Sequence, residues 1–342
     1  MDNEIAIGKA ATPPVTAPLA ASAGALDNLP IGLFGSVMGL TGLSVAWGLA
    51  HQQFGVPESI SKWIGALAAL AFVIVACGYA VKIITVPQAV RAEFVHPIAG
   101  NMFGTFLISL LLLPIVIAPV DLLFARVVWV IGAIAMTAFG WFVVDRWMNH
   151  RQQAAHATPA WIVPVVGMID LPLAMPAIGF DTSLHGVMVL GLAVGLFFTI
   201  PLFTMIFSRL VFEEPLPSAL QASLLILLAP FAVGASAYIA TTGRVDLFAE
   251  SLYVLTLFML VVLLGRLRYL AQCCPFRVAW WAVSFPLAAA AVTALHFAQA
   301  APNQVTDAIA MLLLGLASVV ILLLLARTVS GVARGELRTL SS

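Results

Sequence analysis

One carboxylate lies in the middle of a long apolar stretch of this chain: Asp170, in the segment Gly-Met-Ile-Asp-Leu-Pro that ends at Pro172. Burying a charge in such a segment is costly, so an ionisable residue there is a candidate functional residue by default. Three roles fit the position. Asp170 could bond to backbone groups that Pro172 frees, could hold a proton, or could take part in proton-coupled transport. We favour the structural role.

Prolines recur inside four apolar segments, and each follows a residue at an equivalent position. The prolines are Pro114, Pro172, Pro230 and Pro286, and the preceding residues are Leu113, Leu171, Ala229 and Phe285. Interior proline removes a backbone hydrogen bond and bends a helix. In lipid, only protein or a water-filled cavity can take up the freed groups. Phe285 is the bulkiest of the four preceding residues. Its side chain could close a pore by excluding water from it, or it could simply pack against a neighbouring helix.

The composition of the chain indicates that these segments cross a membrane. Hydrophobic residues make up 62% of the chain and charged residues 9%, whereas a soluble domain carries about 25% charged residues. A membrane-spanning helix needs about 20 mostly apolar residues. By that length the chain has candidate spans at 30–50, 60–85, 98–118, 121–144, 160–180, 184–207, 218–241, 247–265, 277–300 and 306–326.

A second series of prolines opens every other span: Pro30, Pro97, Pro159, Pro217 and Pro275. Proline at the first turn of a helix loses no hydrogen bond. Because each repeat contains two crossings, every repeat starts on the same side. The sequence therefore predicts an all-α integral membrane protein of ten transmembrane helices, arranged as five parallel helical hairpins. Odd helices form an inner pore ring and even helices an outer ring. The first helix replaces the interior proline by glycines, including Gly39 and Gly42, which allow bending and close approach.

The ends and loops of the chain predict its domains and orientation. Residues 1–27, rich in Ala, Thr and Pro, read as a disordered cytoplasmic tail, 28–330 as the ten-helix channel domain and 331–342 as a cytoplasmic C-terminal tail. Of the 15 lysines and arginines, only Lys62, Arg126 and Arg244 fall opposite the N-terminus. The positive-inside rule then puts both termini in the cytoplasm. We expect a multi-pass protein of the plasma membrane, of the bacterial inner membrane type.

Motifs for enzymatic chemistry are missing from the sequence. It has no phosphate-binding loop, metal-ligand cluster or nucleophile arrangement, so we expect neither an enzyme nor an ATP-driven pump. We likewise expect no metal, no other cofactor and no nucleic-acid partner. Glu93, His96 and His296 read as interfacial or capping residues. The adjacent Cys273 and Cys274 have no histidine nearby and do not form a metal site.

Four segments, in the same order as in the family, resemble the tellurite-resistance/dicarboxylate transporter family. That family includes bacterial TehA and the slow anion channels of plant guard cells. The segments are Lys82–Pro97 after the second helix, Trp161–Gly167 in the fifth, Leu216–Pro230 in the seventh and Arg277–Ala289, with its Ser-Phe-Pro motif, in the ninth. The resemblance covers about residues 28–330.

This resemblance implies a homotrimer in a lipid bilayer, in which each protomer has its own pore. It also implies that the phenylalanine of Ser-Phe-Pro, here Phe285, closes that pore, which makes the plug role the favoured one. We therefore predict a gated channel that passes small inorganic or organic anions passively. The arginine-rich cytoplasmic face, which includes Arg277, would concentrate anions there. The alternative is a proton-coupled carrier of dicarboxylates or tellurite-like oxyanions that uses Asp170.

Overall fold

The computed structural model describes residues 29–273 and 276–336, without the side chains of 266–273. The predicted tail at 1–27, Cys274, the side chain of Cys273 and the C-terminal residues 337–342 lie outside this description. Within it every regular element is a helix, and ten helices are long and apolar enough to cross a membrane. We number these spans 1 to 10 in chain order: Ile31–Phe54, Ser59–Thr85, Ala99–Ile117, Leu122–Asn149, Pro159–Ile178, His185–Phe212, Ser218–Thr242, Leu247–Gly265, Val278–Ala300 and Gln304–Ala333.

The ten predicted spans are confirmed, and most start and end within a few residues of their predicted bounds. Spans 8 and 10 differ most, since the helix of span 8 continues to Cys273. Span 10 is longer than predicted at both ends. It continues as helix to Ala333, past residue 330, where we expected the C-terminal tail to follow the last helix. The predicted span 306–326 is too short because the helix stays apolar up to Leu325 and then continues as a polar extension that a hydropathy criterion does not count.

The interior prolines lie where the odd-numbered spans break. In span 3 the helix Phe103–Leu112 stops and a new turn begins at Pro114. In span 7 a 3₁₀ segment, Ser218–Leu228, changes to α-helix just before Pro230. Span 9 changes in the same way at Ser284, two residues before Pro286. Proline has no amide hydrogen for an intrahelical bond, so each of these positions suits the start of a new helical segment.

The even-numbered spans are single α-helices over their described lengths, and they are more exposed than the odd ones. In the most apolar stretch of each odd span, between 56% and 83% of residues are buried, against 22% to 39% in each even span. Among the described residues, none of the exposed large apolar side chains lies in an odd span. Examples from the five even spans are Trp63, Ile134, Phe197, Phe258 and Leu322. This alternation is what an inner and an outer ring would require, while the ring itself stays a prediction.

Glycines let span 1 approach span 9 closely. A methyl group on Gly39 would overlap the side chain of Ser284, and one on Gly42 would lie 2.9 Å from Cβ of Ala288. The hydroxyl of Ser284 lies 2.7 Å from the carbonyl oxygen of Trp281 and 3.1 Å from that of Gly35 in span 1. Small residues thus bring the two backbones together, as is common between membrane helices.

A buried ion pair fixes the start of span 1. Nζ of Lys82, at the end of span 2, lies 2.8 Å from Oε2 of Glu93 and also donates to the carbonyl of Leu29. Glu93 accepts further hydrogen bonds from the Tyr79 hydroxyl at 3.0 Å and from the backbone N–H of Ile31 at 2.8 Å. The capping role predicted for Glu93 is therefore present, because it binds the first amide of span 1. The sequence pattern did not indicate its partner Lys82.

Candidate functional site

A small cavity lies at the centre of the molecule, and all five odd-numbered spans line it. Its volume is about 60 Å³. Span 1 contributes Met38, span 3 Ile108, span 5 Val166, span 7 Val233 and span 9 Phe285. The five odd-numbered spans thus meet around one space, which we call the central cavity.

Two larger cavities adjoin the central one at opposite ends. The Arg277 cavity, of about 310 Å³, shares Gly32, Met102 and Ala282 with the central cavity. The His296 cavity, of about 420 Å³, shares Val233 and Phe285 with it. The three spaces therefore follow one another through the interior, and the narrowest lies in the middle.

Phe285 lies where the central cavity meets the His296 cavity. Its residue is 8% exposed, and its ring atom Cδ2 lies 3.6 Å from the position that a Cβ on Gly42 would take. The α-helical part of span 9 begins at Ser284, so Phe285 stands in its first turn beside Pro286. The change of helix type and the close approach of span 1 together hold the ring at this junction.

Asp170 also lines the central cavity, and it is the one ionisable residue among the described residues that do so. It is 3% exposed, and its Oδ1 has no hydrogen-bond partner among those residues. We expected Asp170 to bond to backbone groups freed by Pro172. For Oδ1 that expectation is wrong, because Oδ1 has no partner among the described residues and the carbonyl that Pro172 frees, that of Met168, accepts a hydrogen bond from the N–H of Leu171 at 3.1 Å instead.

The remaining predicted site residues divide into two groups. Those that line a cavity are Ala229, Pro230 and Pro286 in the central cavity and Gly42 in the His296 cavity. Those absent from the described lining of all three cavities are Gly39, Leu113, Pro114, Leu171 and Pro172. Leu171 points toward span 6, where a Cβ on Gly191 would lie 2.9 Å from its own Cβ. In spans 3 and 5 the adjacent residues Leu112, Ile115, Asp170 and Leu173 line a cavity instead.

Val233 is a lining residue that the sequence reasoning missed. It follows Pro230 by three positions, which is close to one helical turn, and it borders the same two cavities as Phe285. Stepping one turn from each interior proline, in either direction, would have found Val233 and also Ile169 in span 5. The lining therefore includes Pro230 and Pro286 themselves together with residues about one turn from an interior proline.

Few charged groups line the path. In the Arg277 cavity they are Arg277 itself, Glu93 and His96, and in the opposite cavity His296 is the ionisable residue among the described lining. Nδ1 of His96 accepts hydrogen bonds from the backbone N–H groups of Ile98 and Ala99, which agrees with the predicted capping role. In the described part of the chain, no three His, Cys, Asp or Glu side chains form a group that could hold a metal.

The profile of a known family, described as a voltage-dependent anion channel and named SLAC1, matches residues 28–329. This match runs from just before span 1 into span 10. The chain belongs to the SLAC1 family. The family is one of channels and transporters, and the resemblance inferred from the four sequence segments is confirmed.

Relatives of this SLAC1-family chain come from plants and bacteria. The S-type anion channel SLAH3 of Arabidopsis thaliana is 26% identical over 314 residues, which are 89% of this chain and 48% of SLAH3. The guard cell S-type anion channel SLAC1 of the same plant is 23% identical over 299 residues, 84% of this chain and 53% of the relative. The tellurite resistance protein TehA homolog of Haemophilus influenzae is 25% identical over 311 residues, 90% of this chain and 92% of the relative. The chain thus spans about half the length of these plant relatives.

Proposed function

We propose that this protein is a gated channel that passes small anions passively along the three cavities, with Phe285 as the occluding side chain. The observation that carries the proposal is the position of the Phe285 ring at the junction of the central and His296 cavities. A bulky apolar group in a narrow apolar passage excludes water, and an ion cannot pass where its hydration is lost without replacement. Membership of an anion channel family supports the same function.

The chemistry of the lining supports passive conduction of anions. An ion must enter a channel readily and must also leave it, so weak binding favours conduction. Apart from Asp170, the described lining of the central cavity is uncharged and mostly aliphatic. The edge of an aromatic ring is electropositive, so a displaced Phe285 ring would not repel a passing anion.

Replacing Phe285 by alanine tests the proposal. Phe285→Ala should give constitutive anion currents at least about tenfold above wild type in oocytes, since a factor of ten corresponds to a barrier lower by about 1.4 kcal/mol. Phe297→Ala is a matched control. Phe297 lies in the same span and is 7% exposed, but it stacks on Tyr253 with ring centroids 4.4 Å apart and lies outside the described lining of the cavities.

Equal surface expression of both variants makes the comparison decisive. If Phe285→Ala reaches the membrane and its current stays at the wild-type level, Phe285 does not occlude the path. If Phe297→Ala opens the channel as strongly, the effect comes from loosening span 9 rather than from clearing a passage.

A second candidate function is a proton-coupled carrier of dicarboxylates or tellurite-like oxyanions. The observation that favours it is Asp170, whose buried Oδ1 lacks a hydrogen-bond partner among the described residues and which lines the central cavity. A carboxyl group in that position could bind a proton together with a transported anion. In a passive channel, by contrast, an ionised carboxylate there would oppose anion flow.

Uptake measurements distinguish the two functions. A carrier should show saturable, pH-dependent uptake of malate or tellurite that Asp170→Asn abolishes, while Asp121→Asn, at an exposed cap of span 4, leaves it unchanged. Uptake that rises linearly with substrate and persists in Asp170→Asn would exclude the carrier.

The assembly and orientation belong to the same proposal. We place the protein in the plasma membrane with both termini in the cytoplasm, because most lysines and arginines then lie inside. Three such chains would pack through the exposed apolar faces of their even-numbered spans, each keeping its own pore. Chemical cross-linking in native membranes should give a trimer band and no larger ladder, and a purely monomeric product would contradict the assembly.

A further inference from the structure

Arg277 stands at one end of the path, and no described carboxylate pairs with its charge. It is half-buried at the start of span 9 and lines the Arg277 cavity. Its guanidinium group has no hydrogen-bond or ion-pair partner among the described residues. Arginine carries its charge at every physiological pH and offers five N–H donors in a planar fork. Such a group beside a cavity of about 310 Å³ is available to an anion.

A second group in the same cavity is also without a partner. Thr158, at the start of span 5, is 1% exposed, and its Oγ1 has no hydrogen-bond partner among the described residues. A buried hydroxyl left unpaired costs free energy, and Thr158 lines the Arg277 cavity. An anion in the cavity would supply the missing acceptor. Ser223, which also lines the cavity, already donates to the carbonyl of Leu220 at 2.6 Å.

Glu93 is the one carboxylate in the described lining of this cavity, and both of its oxygens already accept hydrogen bonds. Its Oε2 accepts from Nζ of Lys82 and from the hydroxyl of Tyr79, and its Oε1 accepts from the backbone N–H of Ile31. The buried lysine cancels the negative charge of Glu93 at close range. Among the described residues that line this cavity, the charge of Arg277 therefore has no counter-charge.

We propose that Arg277 and Thr158 form an anion-binding site, in which a small inorganic anion is held with part of its water before it enters the central cavity. The volumes support this order. The Arg277 cavity, at about 310 Å³, has about five times the room of the central cavity, at about 60 Å³, so an anion keeps more of its water in the first than in the second. The site would thus bind anions in preference to cations, and the narrow passage beyond it would then favour the anions that lose their water most easily. The role in loading rests on the proposed channel function, whereas binding itself does not.

The role of the site in delivering anions to the channel is tested in the Phe285→Ala variant, which we expect to conduct. In inside-out patches of Phe285→Ala, the Arg277 end faces the bath if both termini are cytoplasmic. Adding Arg277→Gln should raise the bath chloride concentration for half-maximal current about tenfold, which corresponds to 1.4 kcal/mol. With Arg277→Lys the half-maximal chloride concentration should lie between the values with Arg277 and with Arg277→Gln, because lysine keeps the charge and loses the planar fork. Thr158→Val, which removes one neutral hydrogen bond, should raise the half-maximal chloride concentration about threefold.

Arg91→Gln is the matched control, since Arg91 is exposed, lies in the short helix Pro87–Val95 at the same end, and is outside the described lining of the cavity. It removes the same charge and should leave half-saturation near the value of the Phe285→Ala background. Equal shifts in Arg91→Gln and Arg277→Gln would overturn the site, because the effect would then be a general surface potential.

A second measurement does not need a conducting pore. Chloride NMR on the purified full chain in detergent should show excess line broadening from bound chloride, and Arg277→Gln should remove most of it while Arg91→Gln keeps it. Equal broadening in wild type and Arg277→Gln overturns the binding site. If Phe285→Ala patches carry no current but the broadening still depends on Arg277, the site stands and the channel proposal fails.

Discussion

The odd-numbered and even-numbered spans differ in hydropathy, in burial and in backbone geometry. Mean hydropathy is 1.5 to 2.0 in the odd spans and 2.2 to 3.0 in the even ones, and 56% of the apolar stretch of span 3 is buried against 28% of that of span 8. The more exposed even spans are thus also the more apolar, as contact with lipid requires. The backbone differs as well, because spans 3, 5, 7 and 9 are broken at prolines and turns while the even spans run as single helices, span 6 even across Pro201. A broken helix leaves backbone groups that need partners, so it belongs inside the protein, and the cavities form there.

The largest expected effect compares two ion pairs, one buried at the start of span 1 and one exposed on span 2. Lys82→Met leaves Glu93 buried without its cation, and removing one partner of a buried pair costs about 3–5 kcal/mol. Lys62 pairs with Glu58 at 2.7 Å, but their side chains are 67% and 53% exposed, and water screens such a pair. Thermal unfolding in detergent should show a large loss of stability for Lys82→Met and no measurable change for Lys62→Met. Similar losses would mean that the Lys82 pair is not buried.

The next effect compares two glycines. A methyl group on Gly39 of span 1 overlaps Ser284 of span 9, whereas one on Gly315 of span 10 meets nothing within 4 Å. Gly39→Ala should destabilise the protein by about 1–3 kcal/mol through overpacking. Gly315→Ala should be neutral or slightly stabilising, because alanine favours helix by up to about 1 kcal/mol. Melting temperatures from matched preparations check both values. A tolerated Gly39→Ala would show that spans 1 and 9 are farther apart than described.

The smallest effect concerns hydroxyl groups. Ser44 of span 1 and Ser61 of span 2 each bond the other's carbonyl oxygen at 2.8 Å, joining an odd span to an even one. Ser251 of span 8 bonds only the carbonyl of Leu247 in its own helix, at 2.7 Å. Ser44→Ala should cost about 0.6 kcal/mol, which is typical of an interhelical hydrogen bond in a membrane, and Ser251→Ala should cost nothing measurable. A denaturant titration in detergent measures the free energy of unfolding of both variants. Equal losses would mean that the hydrogen bonds between spans 1 and 2 add no more stability than one within a single helix.

The sequence predicted the number and limits of the spans because a membrane imposes length and hydropathy on every crossing. It also located the breaks in spans 3, 7 and 9, since proline acts locally on its own helix, although Pro201 lies within the continuous helix of span 6. It could not predict which side chains face the cavities. Leu171 precedes a kink proline as Phe285 does, yet it points toward span 6 while Phe285 lines two cavities. That outcome depends on how each span is rotated by its neighbours.

The same limit applies to the charged residues. Asp170 could be recognised as unusual from its apolar surroundings, but whether Oδ1 has a partner depends on which donor groups the neighbouring helices bring within reach. Arg277 read as one arginine among many on a basic face. Its role in the cavity emerges only when Glu93 is seen to be neutralised by Lys82, which is distant in sequence from Arg277.

The central claim is that the cavities between the odd spans form an anion path that Phe285 closes. The most direct test is the reversal potential of Phe285→Ala in a tenfold sodium chloride gradient across a patch. The account predicts a current that reverses near the chloride equilibrium potential, about 59 mV in magnitude, and that Phe297→Ala does not reproduce. A current that reverses at zero or at the sodium potential, or no current beyond that of Phe297→Ala, would contradict it.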